Sequence, residues 1–123
     1  MIEVFNRKEK LEGFIEGKKY LNKKKKLIGF LENNNFKDKS GYTLLILKDN
    51  GDITWNEGEK QGYIKEGKIY SAFDDRLIFE FKKENGEILD SGGKTILYLK
   101  GDIESLEEED FFGIAGQYLE LFS

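Results

Sequence analysis

Short apolar runs alternate with polar turns along nearly the whole chain. The runs pair around recurring dipeptides: Glu16-Gly17, Asn33-Asn34, Asn50-Gly51, Glu66-Gly67, Asn85-Gly86 and Gly101-Asp102. Their first residues lie 17, 17, 16, 19 and 16 positions apart. Aromatic and branched residues flank each dipeptide, as in LLILKD/DITW and IFEFKKE/EILDS. Asn-Gly between such runs is the strongest short hairpin signal, because the type I′ turn that follows strand twist needs positive φ at both positions. Asn50-Gly51 and Asn85-Gly86 read as turns of that kind. Polar connectors at 6–10, 22–26, 37–41, 56–60, 74–76 and 91–94 separate the hairpins. A chain that reverses about every eight residues predicts roughly twelve short strands and an all-β fold.

One hairpin cannot bury its apolar face alone, so the units must close on one another in a pseudo-symmetric barrel or flower. Leu77, Phe79 and Phe81 alternate with Ile78, Glu80 and Lys82, whereas TLLILK does not alternate and reads as a more buried strand.

Residues 105–123 break the pattern. Ser105 and Glu108 have capping-box spacing, and Glu107–Asp110 would place carboxylates in a first helical turn. Phe111, Ile114, Ala115, Tyr118, Leu119 and Phe122 then fall on one helical face. Gly113 and Gly116 each weaken such a helix by about 1 kcal/mol relative to Ala, and an interruption is expected near Gly116. The organisation expected is a hairpin-repeat domain over 1–104, with an amphipathic helix over 105–123 packed on that domain or on a partner.

Composition narrows the chemistry. The chain has 123 residues, is 38% hydrophobic and contains no His, Cys or Pro. One compact domain is expected, without disulfides, thiol nucleophiles, imidazole bases or zinc–thiolate sites. The N-terminal sequence has no secretory leader pattern and no apolar run is long enough to span a membrane, so a cytoplasmic location is expected, leaderless export aside. The net charge of −4 divides into +5 over residues 1–39 and −9 over residues 40–123. That split points to a charged partner, or to complementary surfaces meeting within the fold or between copies.

A finer repeat runs through the hairpins: an aromatic near an Asn, a basic connector, then Gly-aromatic-aliphatic. It reads Phe5-Asn6 … Gly13-Phe14-Ile15, Tyr20-Leu21-Asn22 … Gly29-Phe30-Leu31 and Trp55-Asn56 … Gly62-Tyr63-Ile64, with a degenerate start at Phe73-Asp74. Over roughly residues 3–100 this resembles the small bacterial β-hairpin repeat domains called four-fold β-flowers, and more distantly YD-type hairpin repeats. The resemblance implies hairpins around a pseudo-symmetric axis and carries no activity with it. The chain departs from that pattern where Glu9 and Lys25 stand in place of a connector glycine, and in counting six turns rather than four. Its Lys- and Asn-rich, Arg-poor usage suggests an AT-rich genome.

Candidate chemistry is sparse. Lys23–Lys26 with Lys18 and Lys19 would suit phosphates, and Tyr20 would stack on a base, but the low pI of 5.0 argues against nucleic acid. Asp74-Asp75 and Glu107–Asp110 are the carboxylate groups a hydrolase would draw on, yet they read more simply as a turn and a helix start. Asp49-Asn50-Gly51-Asp52 lacks the remainder of a calcium loop, and Gly92-Gly93 lacks a nucleotide-loop pattern. Trp55, Tyr20 and Tyr70 are the candidates for an aromatic ligand groove, centred on Trp55. Phe111, Phe112, Ile114, Tyr118, Leu119 and Phe122 are the candidates for a partner or oligomer interface. The expectation is a non-catalytic interaction or structural module with no catalytic residue, metal or cofactor. The alternatives are a small-ligand or glycan binder and, behind it, a carboxylate-dependent hydrolase.

Overall fold

The computed structural model describes residues 1–122. Twelve strands follow one another. The first six are β1 (Ile2–Asn6), β2 (Leu11–Glu16), β3 (Lys19–Asn22), β4 (Leu27–Glu32), β5 (Asn35–Asp38) and β6 (Thr43–Leu47). The others are β7 (Asp52–Trp55), β8 (Lys60–Lys65), β9 (Lys68–Ser71), β10 (Leu77–Lys82), β11 (Glu87–Leu89) and β12 (Thr95–Lys100). Each pairs antiparallel with its sequence neighbours, and β12 returns to β1 with Leu99 opposite Val4 and Tyr98 opposite Phe5. The sheet is a closed barrel, so no strand edge is left unpaired. One helix, α1 (Glu108–Tyr118), follows the wall.

All six longer connectors lie on one rim; five repeat one geometry, and the fifth (71–76) is a residue longer. Asn6, Asn22, Asp38 and Asp90 start four of them, and each side-chain oxygen accepts N–H bonds from the residues two and four positions on, at 2.9–3.1 Å. For Asp90 the backbone N–H of Lys94 leads in holding its carboxyl below the ordinary range, with Gly92 adding to it. The residue that ends the turn is left-handed: Gly41, Gly58 and Gly93 in three connectors, but Glu9, Lys25 and Asp75 in the others, at φ of 59°, 64° and 56°. The two positions where the sequence lacks the expected glycine therefore keep the glycine conformation. Register slips by one residue in the strand pair around every connector, giving six equivalent bulges that bend the wall into its ring.

The opposite rim carries the tight turns. Asn33-Asn34 and Glu66-Gly67 have positive φ at both positions, whereas in the Gly17-Lys18 turn only the glycine does. Two expectations are corrected here. At Asn50-Gly51 and Asn85-Gly86 only the glycines have positive φ. The first closes a longer loop through Gly51 N–H to Lys48 C=O at 3.0 Å, and the second ends a 3-10 turn over Lys83–Asn85. The extra loop residues let a right-handed turn precede the glycine, so the Asn need not leave the ordinary region. Gly101-Asp102 is no hairpin turn either, since the chain leads there into a 3-10 turn (Ile103–Ser105) and then α1.

Twelve strands enclose a lumen too wide for wall side chains to fill, and α1 occupies it. Val4, Ile15, Leu31, Leu45, Ile53, Ile64, Ile69, Ile88, Leu97 and Leu99 line the wall, and all are buried. Phe111 through Ala115 are five consecutive buried helix residues, so the wall covers the helix on every side. The helix enters at the tight-turn rim, where Lys18 Nζ stands 2.7 Å from Asp110 and 3.2 Å from Glu109. Burial alone would lower the Lys18 pKa, but these two carboxylates outweigh it and raise it. The helix start is shifted from the sequence expectation. Glu107 is the cap residue, its N–H donating to Asp110 at 2.9 Å, while Ser105 Oγ donates to Asp102 C=O within the 3-10 turn. No helix is long and apolar enough to cross a membrane, among the described residues.

Candidate functional site

The Gly-aromatic-aliphatic signature divides between the two faces of the wall. Ile15, Leu31 and Ile64 point into the lumen, and Phe14, Phe30 and Tyr63 point outward, half-buried. Lys25 Nζ lies 5.2 Å from the Phe14 ring centre and Lys60 Nζ lies 5.4 Å from that of Tyr63, so lysines cover part of the outer aromatics. The glycines are inward-facing docking points for the C-terminal segment. A Cβ at Gly13 would strike Leu21 C=O and approach Tyr118 Oη, one at Gly29 would strike Gln117, and one at Gly62 would strike Phe122 and Tyr70 C=O.

The three residues picked out for an aromatic groove are not brought together. Tyr20 is 1% exposed inside the lumen, beside Tyr118 and Phe36. Its place inside the barrel also removes it as a stacking platform for a base. Tyr70 is on the outer wall, stacked on Tyr63 at 5.0 Å, and the Tyr63 hydroxyl donates to Asp75 at 2.9 Å. That bond to the carboxylate raises the Tyr63 pKa. Trp55 alone lies at a cleft, on the connector rim.

Trp55 holds a position with five structural equivalents. It starts the fourth connector as Asn6, Asn22, Asp38, Ser71 and Asp90 start the others, and the backbone frame is kept: Trp55 N–H donates to Glu59 C=O at 3.0 Å and Gly58 N–H to Trp55 C=O at 2.9 Å. The side-chain cap is lost and an indole takes its place. Beside it opens a cleft of about 260 Å³ lined by Tyr42, Thr43, Asn56, Glu57 and Glu59. A second cleft of about 430 Å³ adjoins it across Trp55 and Leu44, floored by Phe36, Leu45 and Leu121. Tyr42, on the third connector, is 58% exposed, and Phe73, on the fifth, is 77% exposed. Sequence reading did not select Tyr42, Phe73, Glu57 or Glu59. Aligning the six connector starts would have set Trp55 apart from five hydrogen-bonding residues and drawn attention to its neighbours.

Other candidates separate in space. Lys23–Lys26 are exposed on the connector rim, while Lys18 and Lys19 stand at the tight-turn rim, so the basic residues form no single patch. Asp74-Asp75 and Glu107–Asp110 likewise lie at opposite ends of the barrel, and Asp110 is engaged by Lys18 and the helix start. No group of three or more acidic side chains is arranged to hold a metal ion, among the described residues. Phe111, Phe112 and Ile114 are 0% exposed within the chain's own core, and Tyr118, Leu119 and Phe122 are half-buried against the wall. The helix face is therefore already occupied. Comparison of the chain with protein-family models, curated proteins and solved structures finds no match.

Proposed function

We propose that the protein is a non-catalytic binding module whose recognition surface is the cleft at Trp55, and that it takes a cationic segment. The replacement of a turn-stabilising Asn or Asp by Trp, in one of six equivalent connectors, carries this reading. Trp55 packs in part against the core, and in giving up the two local hydrogen bonds of its Asn and Asp equivalents it leaves the rest of the indole at the cleft. Trp55 and Tyr42 offer ring faces, and Glu57 and Glu59 add negative charge beside them. Lys60, next in the chain, is engaged by Asp52 at 3.2 Å and by the Tyr63 ring. Aromatic faces beside carboxylates suit an ammonium or guanidinium group.

Trp55 is the only Trp, so the intrinsic indole emission of the protein reports this cleft alone. Titration with oligolysine is expected to shift or quench that emission, with Glu57→Gln/Glu59→Gln weakening the response. An unchanged emission would remove the proposal. Exposed Tyr42 beside half-buried Trp55 also favours a second reading, as a stacking platform for a sugar ring. A response to neutral oligosaccharides that is indifferent to the Glu57→Gln/Glu59→Gln change would favour that one.

A further inference from the structure

The six connectors stand on the rim in chain order. The first (6–10) therefore faces the fourth (55–59) across the barrel, and the second (22–26) faces the fifth (71–76). Charge follows that division. The first two expose Arg7, Lys8, Lys10 and Lys23–Lys26 against a single carboxylate, Glu9. The fourth and fifth expose Glu57, Glu59, Asp74 and Asp75 against Arg76, and exposed Lys60, just past the fourth, is held by Asp52 and the Tyr63 ring. The rim thus has a basic pole and an acidic pole half a turn apart. Between them, the third connector carries exposed Lys39 and ends on exposed Tyr42, and the sixth presents Ser91-Gly92-Gly93 followed by exposed Lys94.

We infer that this rim docks face to face on the rim of a second copy, about a two-fold axis running over the third and sixth connectors. The inference rests on the reading of the Trp55 cleft as a cation site and names the occupant. Rotation about that axis lays Lys23–Lys26 of each copy over Trp55, Glu57 and Glu59 of the other. It also lays Arg7, Lys8 and Lys10 over Phe73, Asp74 and Asp75. Each contact is made twice, as an isologous interface requires, and Tyr42 meets its own counterpart on the axis. The sixth connectors, small at Ser91-Gly92-Gly93, let the rims close on the far side. A polyanion would suit the basic pole but be repelled by the acidic one, and a basic peptide would meet the reverse. A second copy complements both poles at once.

Sedimentation velocity on the full chain, over a range of concentrations at low and high salt, tests this. The expected result is a dimer at low salt that dissociates as salt rises, because exposed charge pairs are screened beyond about 10 Å at 0.1 M. Lys23→Glu/Lys24→Glu and, separately, Glu57→Lys/Glu59→Lys are each expected to be monomeric, with circular dichroism showing the barrel retained. Mixed together, the two variants match charge for charge and are expected to form a heterodimer. A wild-type monomer at every concentration would overturn the inference, and so would a dimer insensitive to salt and to both variants. If the monomer's Trp55 emission still responds to oligolysine, the cleft reading survives and only the self-docking falls. If neither occurs, both fall.

Discussion

Tyr20 and Tyr118 stand edge to face inside the barrel, their ring centres 6.1 Å apart, and of the two hydroxyls only that of Tyr118 finds a hydrogen-bond partner among the described residues. Tyr118 Oη lies 2.8 Å from Leu21 C=O and 3.1 Å from Phe14 C=O, tying the end of α1 to the wall. Tyr20 Oη has no hydrogen-bond partner among the described residues and abuts Gly113. A buried hydroxyl without a partner costs stability, whereas a bonded one contributes about 1 kcal/mol. Tyr20→Phe is therefore expected to raise unfolding stability by about 1 kcal/mol, and Tyr118→Phe to lower it by a similar amount. Urea denaturation of the two variants checks the opposite signs.

The same pair gives the barrel an alkaline limit. Burial pushes the Tyr20 phenol far up, with the Asp110 carboxylate adding to it, and burial also raises Tyr118. Both stay neutral in the folded barrel while the unfolded chain ionises them near about pH 10. Their contribution is thus complete below that pH and is lost as pH rises above it. Stability measured from pH 8 to 11 is expected to fall at the upper end, and less steeply in Tyr20→Phe.

Three wall glycines are expected to respond unequally to a single methyl. At Gly13 and Gly62 an added Cβ strikes backbone carbonyls of the neighbouring strand, which cannot move without breaking register. At Gly29 it meets chiefly the end of the Gln117 side chain, whose buried Oε1 has no hydrogen-bond partner among the described residues. Gly13→Ala and Gly62→Ala should each cost about 2–3 kcal/mol, and Gly29→Ala distinctly less. Thermal unfolding of the three variants gives the order.

Glu9 and Lys25 hold a backbone conformation that costs a side-chain-bearing residue about 1 kcal/mol or more. Three equivalent connectors hold Gly there. Glu9→Gly and Lys25→Gly are each expected to stabilise the barrel by up to about 1 kcal/mol, less what glycine adds to the freedom of the unfolded chain. Additive gains in denaturation midpoint from the double variant would show that the turns of two neighbouring strand pairs behave independently.

A chain ending at Glu104 loses Leu106, Phe111, Phe112, Ile114, Ala115 and Leu121 from the core. Emptying one buried Phe site already costs about 3–5 kcal/mol, and a whole domain is stable by only about 5–15 kcal/mol. The truncated barrel is expected to lose cooperative unfolding and bind a hydrophobic dye. A sharp transition near that of the full chain would show that the wall stands without its filling.

Turn spacing made the wall legible. Chain reversals set by local turn residues report strand number directly, and the twelve strands lie close to where those reversals put them. The fate of α1 was less readable. An apolar stripe identifies one covered face, but Phe112 and Gly113 are buried off that stripe. Gly113 and Gly116 entered the sequence reading as a loss of helix propensity. In the barrel they are where Tyr20 and Phe36 press against the helix, and no larger residue would fit. Trp55 was legible as a singular residue, but Tyr42 lies thirteen positions earlier, and the β6–β7 pairing that puts Leu45 opposite Trp55 is what sets the two side by side. Tyr20 and Tyr70 misled because strand alternation sends neighbouring aromatics to opposite faces, and hairpin-level periodicity does not say which face is inside.

The β1–β12 seam makes the order of assembly a matter of geometry. Every other wall pairing joins strands adjacent in the chain, so those hairpins can form as soon as they are synthesised. The seam joins the first strand to the last, around a helix that comes after both. A wall sealed before α1 arrived would have to reopen to admit it. The segment that follows the wall in the chain is thus the mandrel on which the ring is bent shut. Pulse-labelling during refolding should show amides of β1, β12 and α1 gaining protection together, after the hairpins between them.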